Sequence, residues 1–176
     1  MCPCCGEAMQ AVGTGHGVEV DQCVACGAVW LDAGELAAIL AHTTSEPGGE
    51  PRATSVAEMR SRMATVVPQA AAVRYRECPR CSEVMGRRNF GTISGVVIDE
   101  CARHGVLLDE GEMQAIEAFV RMGGEPLGEQ ARLEQAQRSL PPPPEPIYRP
   151  GEVRPSVKAA VIETAADSIW RTLFGW

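Results

Sequence analysis

The sequence has no long apolar run and no recognisable export signal. No stretch approaches the eighteen or so apolar residues that a membrane-spanning helix needs, so we expect no membrane span. The first cysteine motif begins at residue 2, where an export signal would place a charged segment followed by an apolar one. We therefore expect a cytoplasmic protein.

Positive charge is missing from the beginning of the chain. Met1 to Ser45 contain neither lysine nor arginine, although they contain five acidic residues, Glu7, Glu19, Asp21, Asp32 and Glu35. Nucleic-acid binding draws most of its affinity from cations that neutralise phosphates. This stretch cannot supply them, and the whole chain has a formal net charge of −7.

Cysteine, in contrast, is plentiful, and its positions repeat. Seven of the eight cysteines, together with His104, form two sets of paired motifs. Within each set, two C-x-x-C or C-x-x-H motifs lie about twenty residues apart, which is the spacing of a structural zinc site. The predicted ligands are Cys2, Cys5, Cys23 and Cys26 in the first set, and Cys78, Cys81, Cys101 and His104 in the second. Only Cys4 is left over.

Zinc is favoured over disulfide bonds because disulfides persist mainly in exported proteins. Four ligands close the tetrahedral shell of one ion, so the predicted cofactor is two structural Zn²⁺ ions. A closed shell leaves no position at which the metal could bind a substrate. We therefore expect no enzymatic activity.

The repeat divides the chain into modules of about 45 residues, which are too small to bury a stable core without a metal. We predict one zinc-binding module at 1–42 and another at 74–122, joined by a linker and helix at 43–73. Ser55 begins that helix with a capping box, and Met59 and Met63 share the face expected to pack against a module. Each module should itself end in a short helix, capped by Asp32 in the first and Asp109 in the second.

A wider pattern surrounds the cysteines. The first module contains Cys2-Pro3-x-Cys5-Gly6, Gly17-Val18-x-Val20-Asp21-x-Cys23-x-x-Cys26-Gly27 and Val29-Trp30-Leu31-Asp32-x-Gly34-Glu35-Leu36. The second contains Cys78-Pro79-x-Cys81, Gly95-Val96-x-Ile98-Asp99-x-Cys101-x-x-His104-Gly105 and Leu108-Asp109-x-Gly111-Glu112-Met113. Both closely resemble the bacterial transcription factor IIB-type zinc ribbon family. The resemblance implies two zinc ribbons, each with two β-hairpin knuckles that hold one zinc ion and a short helix after them.

The second copy departs from the family pattern at three positions. His104 replaces the fourth cysteine, Ser82 replaces the knuckle glycine, and Leu107 stands near the place of the usual tryptophan. A histidine ligand keeps the tetrahedral shell. The fold class expected is thus a small, metal-stabilised α+β protein.

The C-terminal part predicts a helix on a spacer. Residues 123–155 contain a polar helix at about 127–140 and the proline run that begins at Pro141, which favours extended polyproline geometry. Residues 156–176 predict an amphipathic helix whose apolar face includes Val161, Ile162, Ile169, Trp170 and Leu173. That face could pack on the ribbons, associate with itself or bind another protein. Membrane binding is disfavoured because the polar face is not basic.

Several residues admit an alternative interpretation. Arg74, Arg76, Arg80, Arg87 and Arg88 around one knuckle of the second ribbon could bind nucleic acid, but surface pairing with Glu77 and Glu83 is favoured. Cys4 is interpreted as an incidental small residue, with exchange into the metal site as the alternative. His16 and His42 are interpreted as surface residues, and redox chemistry is disfavoured because each C-x-x-C motif has a partner at zinc spacing.

The function predicted from these features is a non-enzymatic adaptor that acts through protein contacts. The alternative is a transcription-associated protein that binds nucleic acid through the arginines of the second ribbon.

Overall fold

The computed structural model describes residues 1–14, 17–45, 52–68 and 74–140. Six strands are present in these ranges: β1 Met9–Gly13, β2 Glu19–Cys23, β3 Val29–Asp32, β4 Gly86–Asn89, β5 Val97–Cys101 and β6 Gly105–Leu108. Four helices accompany them: α1 Glu35–Ser45, α2 Val56–Val66, α3 Glu112–Arg121 and α4 Gly124–Ser139. His16, the proline run and the predicted C-terminal helix at 156–176 lie outside the described residues.

One antiparallel sheet contains the strands of both modules. Its order is β1-β2-β3-β6-β5-β4, so each module contributes three neighbouring strands. We call residues 1–42 the first repeat and residues 74–122 the second repeat. The repeats are joined at the centre of the sheet, where β3 pairs with β6.

The pairing between β3 and β6 is self-complementary. Trp30 and Leu107 occupy equivalent positions in the two repeats and lie directly opposite each other. On either side of them, Val29 pairs with Leu108 and Leu31 pairs with Val106. An isologous interface between two identical subunits has this property. The two repeats therefore associate as a symmetric dimer would, within one chain.

Each face of the sheet is covered by a core to which both repeats contribute. Successive strand residues point to opposite faces, which separates Leu31 and Leu108 from their neighbours Trp30 and Leu107. The first pair belongs to a core formed with the helices, which also contains Ile39, Met59, Met63, Ile98, Ile116 and Phe119. The second pair belongs to a smaller core formed with Cys2, Cys23, Ala28, Cys78, Met85 and Cys101. Neither repeat has a core of its own. Because the repeats share two cores, they bury apolar surface that a separate 45-residue module could not.

The helix between the repeats packs as its sequence predicts. The Ser55 hydroxyl accepts a hydrogen bond from the Glu58 backbone N–H at 3.2 Å, and this bond caps α2. Met59 and Met63 are fully buried in the core on the helical side of the sheet. Of the described helices, none is long and apolar enough to cross a membrane.

The predicted caps of α1 and α3 are partly wrong. These helices begin at Glu35 and Glu112, and the N-cap position of α3 is Gly111, with a left-handed φ of 82°. One half of each capping box is present, because Glu35 and Glu112 accept hydrogen bonds from the backbone N–H groups of Asp32 and Asp109. The side chains of these two aspartates instead bind the opposite repeat.

Other boundaries also differ from the prediction. The sequence Ile93-Ser94-Gly95-Val96-Val97-Ile98-Asp99 predicts a strand that corresponds to the one ending at Asp21, but this strand begins only at Val97, because residues 91–94 form a turn. Helix α1 continues to Ser45, beyond the predicted linker start at residue 43. Helix α4 begins at Gly124, three residues before the predicted polar helix.

Candidate metal centres

The first predicted ligand set comes together at the end of the β1–β2 hairpin. The sulfur atoms of Cys2, Cys5, Cys23 and Cys26 all lie within 4.8 Å of one another. Cys2 and Cys26 are 3.6 Å apart and Cys5 and Cys23 are 3.5 Å apart, measured between Sγ atoms, and none forms a disulfide. In a tetrahedral shell with Zn–S distances of about 2.3 Å, neighbouring sulfurs are about 3.8 Å apart. The set therefore fits a zinc ion.

Two tight turns aim the ligands of this site. In the turn at Cys2, the Gly6 N–H donates to the Cys2 carbonyl at 2.9 Å, and the Cys4 N–H points at the Cys2 sulfur at 3.4 Å. In the turn at Cys23, the Gly27 N–H donates to the Cys23 carbonyl at 2.9 Å. Gly6 and Gly27 have positive φ angles of 83° and 70°, which glycine adopts without strain.

The second predicted ligand set has the same arrangement. Its donor atoms on Cys78, Cys81, Cys101 and His104 also lie within 4.8 Å of one another. His104 Nδ1 is 3.4 Å from the Cys101 sulfur and 3.7 Å from the Cys78 sulfur, while the Cys81 and Cys101 sulfurs are 3.9 Å apart. Three thiolates and one imidazole are an established donor set for structural zinc. This set fits zinc as well.

Ser82 takes the conformation of the glycine that it replaces. Its N–H donates to the Cys78 carbonyl at 2.8 Å, as Gly6 does to Cys2, and its φ is 59°. The knuckle geometry is therefore kept at the cost of a left-handed serine. Such a conformation costs roughly 1 kcal/mol for a residue with a side chain.

The backbone of each site stabilises one thiolate. The backbone N–H of Cys26 lowers the pKa of Cys23 to about 7, and the backbone N–H of Arg103 lowers the pKa of Cys101 to about 6. Burial has the opposite effect on Cys26 and raises its pKa to about 12. Because thiolates are the form that binds zinc, the N–H groups at Cys23 and Cys101 prepare both sites for the metal.

The comparison with known families agrees with the first site. Residues 1–42 match the family described as "Transcription factor zinc-finger", a zinc ribbon of the TFIIB type. The match covers the first repeat, whereas the second repeat is supported by its own Cys/His cluster. No curated protein and no solved structure matches the chain. The chain thus contains a zinc-ribbon region of a transcription-factor type and two groups that could bind two zinc ions.

Cys4 lies beside the first site but outside its ligand set. Its thiol is half-buried and donates to Oδ1 of Asp109, in the second repeat, at 3.5 Å. Burial raises the pKa of this thiol well above its usual value. The prediction that Cys4 is the cysteine left over by the metal sets agrees with this geometry.

Arg80, in the second repeat, contacts side chains of the first repeat. The sequence did not predict these partners. Its guanidinium donates to both carboxylate oxygens of Asp32, at 3.2 and 2.9 Å, and to Asp21 at 3.2 Å. Both aspartates belong to the first repeat. Asp32 Oδ1 also accepts a hydrogen bond from Trp30 Nε1 at 2.7 Å. The repeated sequence pattern does contain a signal for these contacts. Cys4 and Arg80 occupy equivalent knuckle positions, and each contacts an aspartate of the other repeat.

Several other arginines of the second repeat are also paired. Arg76 contacts Asp99 at 3.0 Å and Asp109 at 2.9 Å, and Arg87 lies 3.4 Å from Asp99. Further pairs are Arg88 with Glu100, Arg103 with Glu83 and Arg121 with Glu117. The predicted partners of the cluster are wrong: Arg76, Arg80 and Arg87 contact aspartates, and Arg88 contacts Glu100. Glu83 pairs instead with Arg103, which lies outside the predicted cluster.

An open groove of about 590 Å³ runs beside α1. Leu36, Leu40, Phe90 and Val106 contribute to its apolar lining. Three of its charged residues are already in ion pairs: Asp32 with Arg80, and Arg88 with Glu100. The charges of these three side chains are therefore paired within the protein.

Proposed function

We propose that this protein is a zinc-stabilised interaction module that acts through contacts with another protein and catalyses no reaction. The observation that carries the proposal is the pairing of the second-repeat arginines. Five of them contact carboxylates of the protein itself: Arg76, Arg80, Arg87, Arg88 and Arg103. Their charge is therefore largely neutralised before any phosphate approaches.

The donor sets support the non-catalytic part of the proposal. Each offers four ligands, which is the complete shell of a structural zinc ion, whereas catalytic zinc keeps one position for water or substrate. In this proposal the two ions hold the knuckles in place. They take no part in a reaction, and the protein contacts are made elsewhere on the chain, in the cytoplasm.

Charge supports a protein partner over a nucleic acid. The first lysine or arginine of the chain is Arg52, so the first repeat has no cation of its own. Four zinc-bound thiolates would give its site a formal charge of −2. An acidic surface of this kind repels phosphates and attracts basic protein surfaces.

The partner is proposed to bind the apolar face predicted for residues 156–176, or that face mediates self-association. Deletion of 141–176 should abolish the partner or the oligomer and leave two zinc ions bound. Trp170→Glu should act like the deletion, whereas Arg171→Glu, a change on the predicted polar face, should not. Affinity purification and light scattering after size-exclusion chromatography measure both effects. Identical binding profiles and sizes for the full chain and the deletion would overturn this proposal.

Nucleic-acid binding is a second candidate because the matched family is described as a transcription factor zinc-finger. It would rely on Arg74 and on arginines released from their carboxylate partners. A real site would show affinity that falls steeply on a log–log plot against salt concentration, and Arg88→Met would reduce that slope. Absence of binding to single- and double-stranded probes at low salt would eliminate this candidate.

A further inference from the structure

Each candidate metal site touches an aspartate of the other repeat. The aspartates are Asp32, the last residue of β3, and Asp109, which follows β6. Asp32 binds Arg80 in the knuckle of the second site, and Asp109 binds Cys4 in the knuckle of the first. The two sites are therefore in contact through side chains as well as through the sheet.

The Arg80 clasp, consisting of Arg80, Asp21 and Asp32, is the stronger of these connections. Arg80 lies between the ligands Cys78 and Cys81, and its backbone N–H points at the Cys78 sulfur at 3.4 Å. Its side chain holds Asp32 and Asp21 at 2.9 and 3.2 Å. A guanidinium shared between two carboxylates gains more than a single surface pair, because one ordered side chain makes several charged hydrogen bonds.

Asp21 and Asp32 connect the Arg80 clasp to residues of the first site. Asp21 lies in β2, two residues before the ligand Cys23. Asp32 accepts the Trp30 indole N–H, and Trp30 is packed in the same core as Cys2 and Cys23. A knuckle held by metal at the second site thus fixes groups that border the first.

The reciprocal connection is weaker but has the same form. The Cys4 thiol, a weak donor, binds Asp109 at 3.5 Å, and Arg76 joins Asp109 to Asp99. Asp99 lies two residues before the ligand Cys101. Each knuckle therefore rests on an aspartate network that belongs to the other repeat.

The positive charge of Arg80 explains how the clasp could affect metal binding at the first site. Binding of zinc by four cysteines would make the first site a dianion, and Arg80 lowers the repulsion between that charge and the carboxylates of Asp21 and Asp32. The first repeat has no lysine or arginine, so Arg80 is a cation that the second repeat supplies to it. Its position depends on the Cys78–Cys81 knuckle, which the second metal ion would hold.

We propose that the two metal sites are coupled, so that metal at the second site raises the metal affinity of the first, with Arg80 as the coupling residue. Coupling of binding free energies is reciprocal, and the first site therefore strengthens the second by the same factor. The one-metal form is then less populated during metal binding than it would be if the two sites were independent.

Cobalt(II) titration of the full chain tests this proposal, because cobalt bound by four sulfurs and cobalt bound by three sulfurs and one nitrogen absorb differently. The affinity of the four-sulfur site is measured in four proteins: the wild type, Arg80→Met, a variant without the second site (Cys101→Ser with His104→Ala), and their combination. When Arg80 is present, we expect loss of the second site to lower the cobalt affinity of the first site about fivefold. When residue 80 is methionine, the same loss should lower that affinity less than about twofold. An equal loss in both backgrounds, or no loss in either, would overturn the proposal.

A second comparison keeps all eight ligands and therefore does not depend on how well the ligand variants fold. Arg80→Met alone should lower the cobalt affinity of the four-sulfur site about fivefold. Arg88→Met, which removes an exposed arginine paired with Glu100, should leave that affinity unchanged. Equal affinities in these two variants would contradict a role for Arg80, and circular dichroism checks that both are folded.

Discussion

Gly105→Ala should disrupt the sheet at the point where the two repeats meet. Gly105 pairs with Asp32 across the β3–β6 junction, and its φ is 143°. A Cβ atom at this position would lie 2.0 Å from the Leu31 carbonyl oxygen and 3.0 Å from the Asp32 Cα. Because these are backbone atoms, no rotation of a side chain can relieve the overlap.

The expected loss of stability has two parts. The unfavourable backbone conformation costs a residue with a Cβ about 1 kcal/mol. Separation of the strands to relieve the overlap costs a further 2–3 kcal/mol, about the upper range for overpacking in a core. We therefore expect Gly105→Ala to lower the free energy of unfolding by about 3–4 kcal/mol.

Gly34→Ala provides the matched control. Gly34 also has a positive φ, of 93°, but a Cβ there would meet no atom within 4 Å. It should cost only the backbone part, about 1 kcal/mol. Urea unfolding at a fixed free zinc concentration, followed by circular dichroism, compares the two variants. A Gly105→Ala protein within about 0.5 kcal/mol of Gly34→Ala would refute the close pairing of β3 with β6.

Three further predictions concern single side chains. Trp30→Leu introduces the residue that the second repeat has at the equivalent position, in the core that contains ligands of both sites. Lost burial, a cavity and a lost hydrogen bond should together lower the free energy of unfolding in urea by about 3 kcal/mol. Tyr75→Leu, at an exposed position, is the control, and an equal loss of stability in the two variants would contradict the packing of Trp30. Burial raises the pKa of Glu112 to about 7 in the folded protein, so its contribution to stability is present below its ordinary pKa of 4.5 and is lost as pH rises to about 7. Glu112→Gln should therefore remove about 1 kcal/mol of this pH dependence, after allowance for solvent screening, and parallel unfolding curves for wild type and variant from pH 5 to 8 would show that Glu112 is not shifted. Cys4→Ser should retain two zinc ions in elemental analysis, since Cys4 lies outside both donor sets, and a loss of one ion would place Cys4 in the first shell.

The metal sites could be predicted from the sequence because the constraint on their ligands is local. A zinc ion needs paired ligands at short spacing, and the pairs at Cys2, Cys23, Cys78 and Cys101 are visible without any fold. The α2 helix was predictable for a similar reason, because its cap at Ser55 and its buried methionines lie within one short segment. The structure brings all eight predicted ligand atoms into two compact groups.

The association of the repeats could not be predicted in the same way. Pairing of Trp30 with Leu107 joins residues that are far apart in sequence, and the apolar pattern of a strand does not specify which other strand it pairs with. The same separation hid the partners of Arg80, because an arginine in a knuckle gives no sign of which carboxylates it will meet. The local pattern predicts Asp32 and Asp109 as helix caps, but their side chains bind across the repeat boundary instead.

Native mass spectrometry of the full chain, purified without added reductant, tests the central claim most directly, because it counts the metal ions on each molecule and the measured mass shows whether disulfide bonds are present. The account predicts a single dominant species that contains two zinc ions, one for each four-ligand set, with no disulfide bond. A dominant species with one zinc ion at saturating metal, or a metal-free chain whose mass reveals disulfide bonds, would contradict it.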